Sequence, residues 1–101
     1  MLNMSEPTET RYIGKILWEE YMAPKNISAY KLAKDTHVPT SRIQEILHGR
    51  RKISIDTSLR LGKYFGLPDS FFIDMQNDMD IRDAKAELAE DLRTIKTIDK
   101  A

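Results

Sequence analysis

Basic side chains are concentrated in one stretch of this 101-residue chain. Residues 25–52 hold seven lysines and arginines against two acidic residues, which gives that stretch a charge of +5. Residues 69–101 have a charge of −4, and the whole chain has no net charge. A basic surface between acidic ends is typical of a site that binds phosphate groups. Ordinary variation of charge along the chain is the alternative interpretation.

Two groups of side chains in this stretch could contact a nucleic acid. Three adjacent cations, Arg50, Arg51 and Lys52, repel one another unless an anion is near, and phosphate contact with counterion release would stabilise them. The second group offers hydroxyl, guanidinium, carboxylate and amide groups that can hydrogen-bond to base edges. It comprises Thr40, Ser41, Arg42, Gln44, Glu45 and His48. A solvated loop is the alternative for the three cations.

Two short helices must position these side chains. The sequence predicts one over Ala29–Thr36, with Ser28 as the N-cap whose hydroxyl accepts from the free backbone N–H groups of the first turn. The other runs from about Thr40 to His48, with apolar residues at helical spacing. Pro39 suits its first turn, and Gly49 suits the position after its end.

A tight turn between two helices of about eight residues is a helix-turn-helix arrangement. Ala33 is small enough for the two helices to pack closely, and Val38 would fill the gap beneath the turn. His37 stands in the turn where a left-handed backbone is expected, a conformation that histidine tolerates better than most residues. The polar face of the second helix suits a DNA major groove. An αα-hairpin in an ordinary helical bundle is the alternative.

The rest of the chain also has helical patterns, so the predicted fold class is all-α. No strand, internal repeat or low-complexity region is evident. The further predicted helices are Tyr12–Met22, a helix capped by Ser54 and ended by Gly66, Asp69–Asp78, and one from Asp80 or Ile81 to about Ile95. We expect residues 1–10 to be a flexible arm, 11–80 the helix-turn-helix domain, and 81–101 a C-terminal helix with a frayed end.

Apolar residues outside the predicted helix-turn-helix suggest two interaction surfaces. The stripe Phe71, Phe72, Met75 and Met79 is large for the last packed helix of a small domain, so it is either core or a dimer interface. Leu2 and Met4 lie in an N-terminal arm that could become ordered on a partner. Trp18, the single tryptophan, is expected to complete the core, with a protein interface as the alternative.

Several classes of function lack support in the sequence. No cysteine is present, which leaves no disulfide framework and no thiol nucleophile. His37 and His48 have no companions at metal-ligand spacing, and no nucleophile–base pair or phosphate loop is visible. We therefore expect no enzyme activity, metal, cofactor or small-molecule substrate. No apolar run is long enough to cross a membrane and the N-terminus does not resemble a secretory signal, so a cytoplasmic location is expected.

Taken together, these residues resemble the HigA-type antitoxin branch of the Cro/CI-like (XRE) helix-turn-helix family over about Ile13–Ile95. The most telling segments are GKILWEEYMAP at Gly14–Pro24, SAYKLAKDTHVPTSRIQEILHGRRKIS at Ser28–Ser54, DTSLRLGKYFGLPDSFFIDMQNDMDI at Asp56–Ile81, and AKAELAEDL at Ala84–Leu92. The resemblance implies a compact five-helix domain with a C-terminal helical extension. It also implies a homodimer that represses its own operon and neutralises a HigB toxin, a RelE-like ribonuclease that cleaves mRNA on the ribosome.

The resemblance also assigns roles to particular positions. Those that match the family's base-reading surface are Thr40, Ser41, Arg42 and Gln44, with Glu45 as a further candidate. Those that match its phosphate contacts are Ser28, Tyr30, Lys31, Arg50, Arg51 and Lys52. The resemblance assigns no residue to toxin contact, and Leu2, Met4 and Trp18 are candidates only because they are apolar residues that could meet a partner. The alternatives are a stand-alone helix-turn-helix regulator, or a protein-interaction module that no longer reads DNA.

Overall fold

The computed structural model describes residues 12–98, and within that range every regular element is a helix. This confirms the all-α fold class. The helices are α1 (Ile13–Ile16), which continues as a π-helical turn (Leu17–Met22) and a 3-10 turn (Ala23–Lys25), then α2 (Ala29–Thr36), α3 (Thr40–Leu47), α4 (Ile55–Phe65), α5 (Phe71–Glu87) and α6 (Ala89–Thr94).

The first helix differs from the regular α-helix that the sequence predicts. Its second half widens into a π-helix, where the Ala23 backbone N–H donates to the Trp18 carbonyl five residues earlier. The wider turn brings Leu17 and Met22, five residues apart, onto the same face, and both are fully buried. Trp18 is turned outward and is 43% exposed, so the expectation that it completes the core is wrong.

The helix-turn-helix forms as predicted. The Ser28 hydroxyl accepts from the Lys31 backbone N–H at 3.0 Å, which caps α2. His37 ends that helix in the left-handed conformation, with φ 62° and ψ 43°. The Val38 N–H then donates to the Ala33 carbonyl at 3.0 Å and closes the turn. Val38 and Ala33 are both buried, as the close packing of α2 and α3 requires.

The core lies between α3 and the helices that pack around it. Its fully buried large apolar side chains are Leu17, Met22, Leu32, Ile43, Ile46, Ile53, Leu61 and Phe72. Helix α1 approaches α3 so closely that a Cβ atom on Gly14 would lie 1.9 Å from the Ile46 carbonyl oxygen. Tyr21 packs edge-on against Phe71 and Phe72, with ring centroids 5.9 and 5.3 Å away.

Helix α4 begins and ends at the predicted residues. The Ser54 hydroxyl accepts from the Thr57 N–H at 3.2 Å, and Gly66 follows the last turn with φ 70°. Ser58 is buried and joins α4 to the next helix, since its hydroxyl donates to the Asp69 carbonyl and accepts from the Ile73 N–H. The side of α4 that carries Ser58 and Gly62 is therefore where the chain turns into α5.

The predicted boundary between a fifth and a sixth helix, near residue 80, is wrong. Helix α5 runs without interruption over Phe71–Glu87, and the break comes at Leu88. Residues 71–87 contain neither glycine nor proline, so no residue stops the helix there. The change in pattern near residue 80 instead marks where α5 leaves the core, because every residue from 81 to 98 is exposed.

The predicted apolar stripe of α5 splits between two environments. Phe72 is fully buried in its own chain and offers no surface to a second one, which corrects its assignment to a dimer interface. Phe71, Met75 and Met79 are partly buried against the same core. Beyond them the chain exposes four apolar side chains, which we call the C-terminal apolar row: Ile81 on α5, Leu88 at the break, Leu92 on α6 and Ile95 just after α6.

Candidate nucleic-acid interface

Helix α3 has one buried face and one open face. Ile43 and Ile46 are fully buried, so the rotation of α3 about its axis is determined by the core. Thr40, Ser41 and Gln44 are consequently exposed, as predicted for groups that read bases. The half-buried residues Arg42 and Glu45 stand at the margins of the open face. The first two turns of α3 are thus free to enter a groove with hydroxyl and amide groups leading.

The three cations after α3 form an exposed loop, Arg50–Lys52, which we call the basic loop. Gly49 has φ 75°, and this left-handed conformation turns the chain away from α3. The Arg50 N–H donates to the Glu45 carbonyl at 2.8 Å. Two of its cations already have carboxylate partners. Arg51 Nε lies 2.7 Å from Glu45 Oε1, and Lys52 Nζ lies 2.7 Å from Asp80 Oδ2 of α5.

A buried glutamine anchors the end of the basic loop, and sequence reasoning missed it. Gln76 on α5 is 5% exposed. Its Oε1 accepts from the Ile53 N–H at 2.7 Å, and its Nε2 donates to the Ile53 carbonyl at 2.8 Å. Both the oxygen and the nitrogen of the side-chain amide therefore bond to the backbone of Ile53, which fastens the segment after Lys52 to α5. A polar residue within an apolar helical stripe was the signal available in the sequence.

An arginine from α4 holds the turn of the helix-turn-helix. Arg60 Nη1 donates to the carbonyls of Thr36 and His37, at 3.2 and 3.4 Å, where α2 ends. The same side chain donates from Nε to Asp56 at 2.6 Å. That hydrogen bond is the main reason why the pKa of the Asp56 carboxyl is below its ordinary value. Arg60 thus braces the segment that sets the angle between α2 and α3.

The predicted phosphate contacts on α2 are also at the surface. Tyr30 is 66% exposed and Ser28 is exposed, although the Ser28 hydroxyl already caps the helix. Lys31 Nζ is paired with Asp35 Oδ2 at 2.9 Å, and the Tyr64 hydroxyl of α4 donates to that same oxygen at 2.8 Å. The hydrogen bond from Lys31 is the main reason why the pKa of Asp35 is lowered, and the hydrogen bond from Tyr64 is the second. The same hydrogen bond to Asp35 raises the pKa of Lys31.

Trp18 lies beside the predicted interface. It lines an open groove of about 450 Å³ together with Lys15, Ser28, Gln44 and other residues of α1 and α3. Two of the predicted DNA contacts, Ser28 and Gln44, thus share a depression with the exposed indole. Leu2 and Met4, the other candidates for toxin contact, lie outside the described residues.

Residues 12–98, the part of the chain that the structure describes, bear on metal binding and on membrane insertion. No cluster of histidine, aspartate and glutamate in that range could hold a metal ion. No helix of that part of the chain is long and apolar enough to span a bilayer.

The exposed polar face of α3 and the basic loop beside it are the features of a DNA-binding helix-turn-helix protein. Residues 19–72 match the helix-turn-helix family HTH_3. Virulence-associated protein I of Dichelobacter nodosus is 45% identical over 74 residues, which cover 73% of this chain and 68% of that protein.

Solved structures extend the comparison to the whole fold. A HigA-family addiction-module antidote protein from Coxiella burnetii is 37% identical, with a TM-score of 0.78 over 86% of this chain and 95% of that one. The Pseudomonas aeruginosa antitoxin HigA, solved with the higBA promoter, is 27% identical, with a TM-score of 0.79 over 87% and 97%. The chain belongs to the XRE-type helix-turn-helix family, in its HigA-type antitoxin branch.

Proposed function

We propose that this protein is the antitoxin of a HigBA-type module, which represses its own operon by binding the operator as a homodimer and neutralises a RelE-like mRNA-cleaving toxin. The observation that carries the proposal is the open face of α3 beside the exposed basic loop. Operator binding is also supported by the P. aeruginosa HigA structure, which contains promoter DNA.

In this proposal the open face of α3 reads base edges. The amide of Gln44 can pair with adenine in bidentate fashion, and the guanidinium of Arg42 can pair with guanine. Thr40 and Ser41 supply hydroxyl groups at the leading turn. Each good bidentate pair contributes about 1–3 kcal/mol of discrimination against the wrong base.

The phosphate contacts would come from either side of α3. Ser28, Tyr30 and Lys31 lie at the start of α2, and the basic loop lies beyond the end of α3. All of these residues are exposed, which a phosphate contact requires. Such contacts position the protein on the duplex but carry no sequence information of their own.

Band-shift titrations on operator and random duplex at two salt concentrations test this assignment. Gln44→Ala should reduce operator affinity about 5- to 150-fold and leave random-duplex affinity nearly unchanged. Arg51→Ala should weaken binding to both the operator and the random duplex. It should also reduce the slope of log affinity against log salt concentration by up to ~0.9. Arg93→Ala, on α6, is the control for loss of one positive charge. Equal loss on both duplexes for Gln44→Ala would remove that residue from base readout.

We propose that the homodimer forms through the C-terminal apolar row, with a second copy of the chain as its occupant. The members of this row, Ile81, Leu88, Leu92 and Ile95, are between 43% and 67% exposed, in the part of the chain that extends past the core. Exposed apolar groups are stabilised when another apolar surface covers them. A two-fold axis there would have to hold the two α3 helices about 34–36 Å apart to match one turn of DNA.

The toxin partner is proposed from the resemblance and from the relatives, whose names include antitoxin and antidote protein. Co-purification with the product of a neighbouring reading frame that encodes a small basic ribonuclease-like protein tests it. Trp18 stays a candidate contact because it is exposed. Recovery of no partner under conditions where the chain binds its operator would favour a stand-alone regulator.

A protein-interaction module without DNA readout is the second candidate, and one observation favours it. Lys31, Arg51 and Lys52 are each already paired with a carboxylate of the same chain. Retention on a random duplex at low salt separates the two functions, since a module that no longer reads DNA would not be retained.

A further inference from the structure

Two of the three cations of the basic loop, Arg51 and Lys52, each have a carboxylate partner at the protein surface. Arg51 and Glu45 have side-chain exposures of 51% and 43%, and Lys52 and Asp80 of 72% and 43%. Each carboxylate oxygen lies 2.7 Å from its cation, at charge-assisted hydrogen-bond distance. Both pairs thus occupy the outer surface of the protein, and neither lies in the core.

Stability does not explain these pairs. Ion pairs with this degree of exposure contribute at most about one kcal/mol, because water and salt screen them. The basic loop is already fixed at both ends by other hydrogen bonds. Gln76 bonds to the N–H and the carbonyl of Ile53, and the Arg50 N–H donates to the Glu45 carbonyl at the end of α3. Asp80 is moreover 28 residues away from Lys52, on a different helix, so the pair is not a by-product of helical spacing.

The anchored loop keeps its cations within reach of their carboxylates. A phosphate that approaches Arg51 or Lys52 must displace the carboxylate or share the cation with it, and it is repelled by the carboxylate in either case. Arg50 lies between them in the same segment and has no ion-pair partner within residues 12–98. The loop therefore offers fewer available charges than its three cations suggest.

We propose that Glu45 and Asp80 are positioning residues that compete with DNA phosphates for Arg51 and Lys52, and so limit the affinity of the protein for duplex of any sequence. This inference rests on the proposed operator binding. The carboxylates weaken the phosphate contacts, whereas Asp80, on α5, does not affect the base contacts made by α3. Operator binding therefore depends more on the base contacts than on the phosphate contacts. The arrangement suppresses binding to the large excess of competing sites.

Asp80→Asn tests the proposal without touching the base-reading helix. It should raise affinity for a random duplex about threefold at low salt, the scale of an exposed ion pair. The logarithmic salt slope should steepen by up to ~0.9, since one more cation becomes free to release phosphate counterions. Glu45→Gln should act in the same direction. Glu90→Gln, which removes the same charge from α6 next to Arg93, should change neither quantity measurably.

A double-mutant cycle with Lys52→Met separates competition from a general charge effect. In that background Asp80→Asn should have no more effect on duplex binding than Glu90→Gln has. Urea unfolding of each variant checks that the fold is intact.

The proposal is overturned if the wild-type chain binds duplex and Asp80→Asn binds it like Glu90→Gln, or if the gain persists with Lys52→Met. Operator binding itself is overturned if no variant binds any duplex at low salt, so the two failures are distinct.

Discussion

At the scale of single residues, the turn between α2 and α3 depends on a strained histidine. His37 has φ 62°, in the left-handed region that costs an L-residue roughly 1–2 kcal/mol. The conformation persists because Val38 N–H bonds back to Ala33 and Arg60 holds the carbonyls of Thr36 and His37. A histidine in that position was itself a sequence-based sign of the turn.

His37→Gly should raise the free energy of unfolding by about 0.5 kcal/mol. Relief of the left-handed strain exceeds the extra entropy, about 0.5–1 kcal/mol, that glycine loses on folding. Urea denaturation measures the change. His48→Gly is the matched control, because His48 has φ −95° and gains nothing from glycine, so that variant should be less stable than the wild type. Equal destabilisation of both variants would mean that His37 stores no strain.

A second feature at this scale is Gly14, where α1 meets α3. A methyl group at Gly14 would overlap the Ile46 carbonyl oxygen, since the Cβ would stand only 1.9 Å away. Because the obstacle is backbone, the helices must move apart. Gly14→Ala should therefore cost about 1–3 kcal/mol of stability, the usual cost of overpacking, which thermal unfolding would reveal. Thermal stability equal to that of the wild type would contradict this packing.

At the scale of elements, Gln76 joins α5 to the basic loop. Gln76→Met keeps the approximate size of the side chain but leaves the N–H and the carbonyl of Ile53 without partners. Each unsatisfied buried group costs about 1–3 kcal/mol, so we expect a total loss of about 2–4 kcal/mol in urea denaturation. Asn77→Met, at the exposed neighbouring position, is the control and should change stability by less than about 0.5 kcal/mol. Similar effects for the two variants would exclude the anchoring role.

The contact between α2 and α4 is pH-dependent through Asp35. Lys31 and then Tyr64 lower its folded-state pKa below the ordinary value of 3.8, so its contribution to stability is present above that value. The contribution is lost as the pH falls from 3.8 through the lower, folded-state pKa. Asp35→Asn should therefore lose less stability than the wild type between pH 5 and acid pH, measured by urea midpoints. Asp78→Asn, which removes an exposed carboxyl group of α5 and retains Asp35, is the comparison, and parallel profiles for Asp35→Asn and the wild type would rule out the effect.

At the scale of the whole molecule, the exposed C-terminal apolar row is where we expect two chains to meet. Leu88→Asp combined with Leu92→Asp should give folded monomers in sedimentation, because both side chains are exposed within one chain. Operator affinity should fall strongly as the two α3 helices become unlinked. Ile55→Asp, at an exposed apolar position on α4, should leave the dimer intact. A dimer that survives the double substitution would place the interface elsewhere.

Phe72 cannot serve for this test, although the sequence pattern suggested it. The side chain is fully buried, so Phe72→Asp would place a charge in the core and unfold the domain. The apolar periodicity of α5 could not separate residues that face the chain's own core from residues that face outward. That separation depends on where the other helices end.

The local features of this protein followed from its sequence because they arise from residues a few positions apart. Ser28 and Ser54 cap their helices, Gly49 and Gly66 end them, and His37 forms the turn, each through interactions within one or two helical turns. The basic segment and the polar face of α3 could also be predicted, since charge and helical period are properties of the sequence itself.

Only the tertiary structure decided the contacts that join distant segments. Gln76 meets Ile53 across 23 positions and Asp80 meets Lys52 across 28, and no local rule specifies either pair. Tertiary packing also decided two features of the helices. One is the π-helical turn that buries Met22 and exposes Trp18, and the other is the continuation of α5 through residue 80. Periodicity identifies an apolar face, but the packing of the whole chain determines which part of that face is covered.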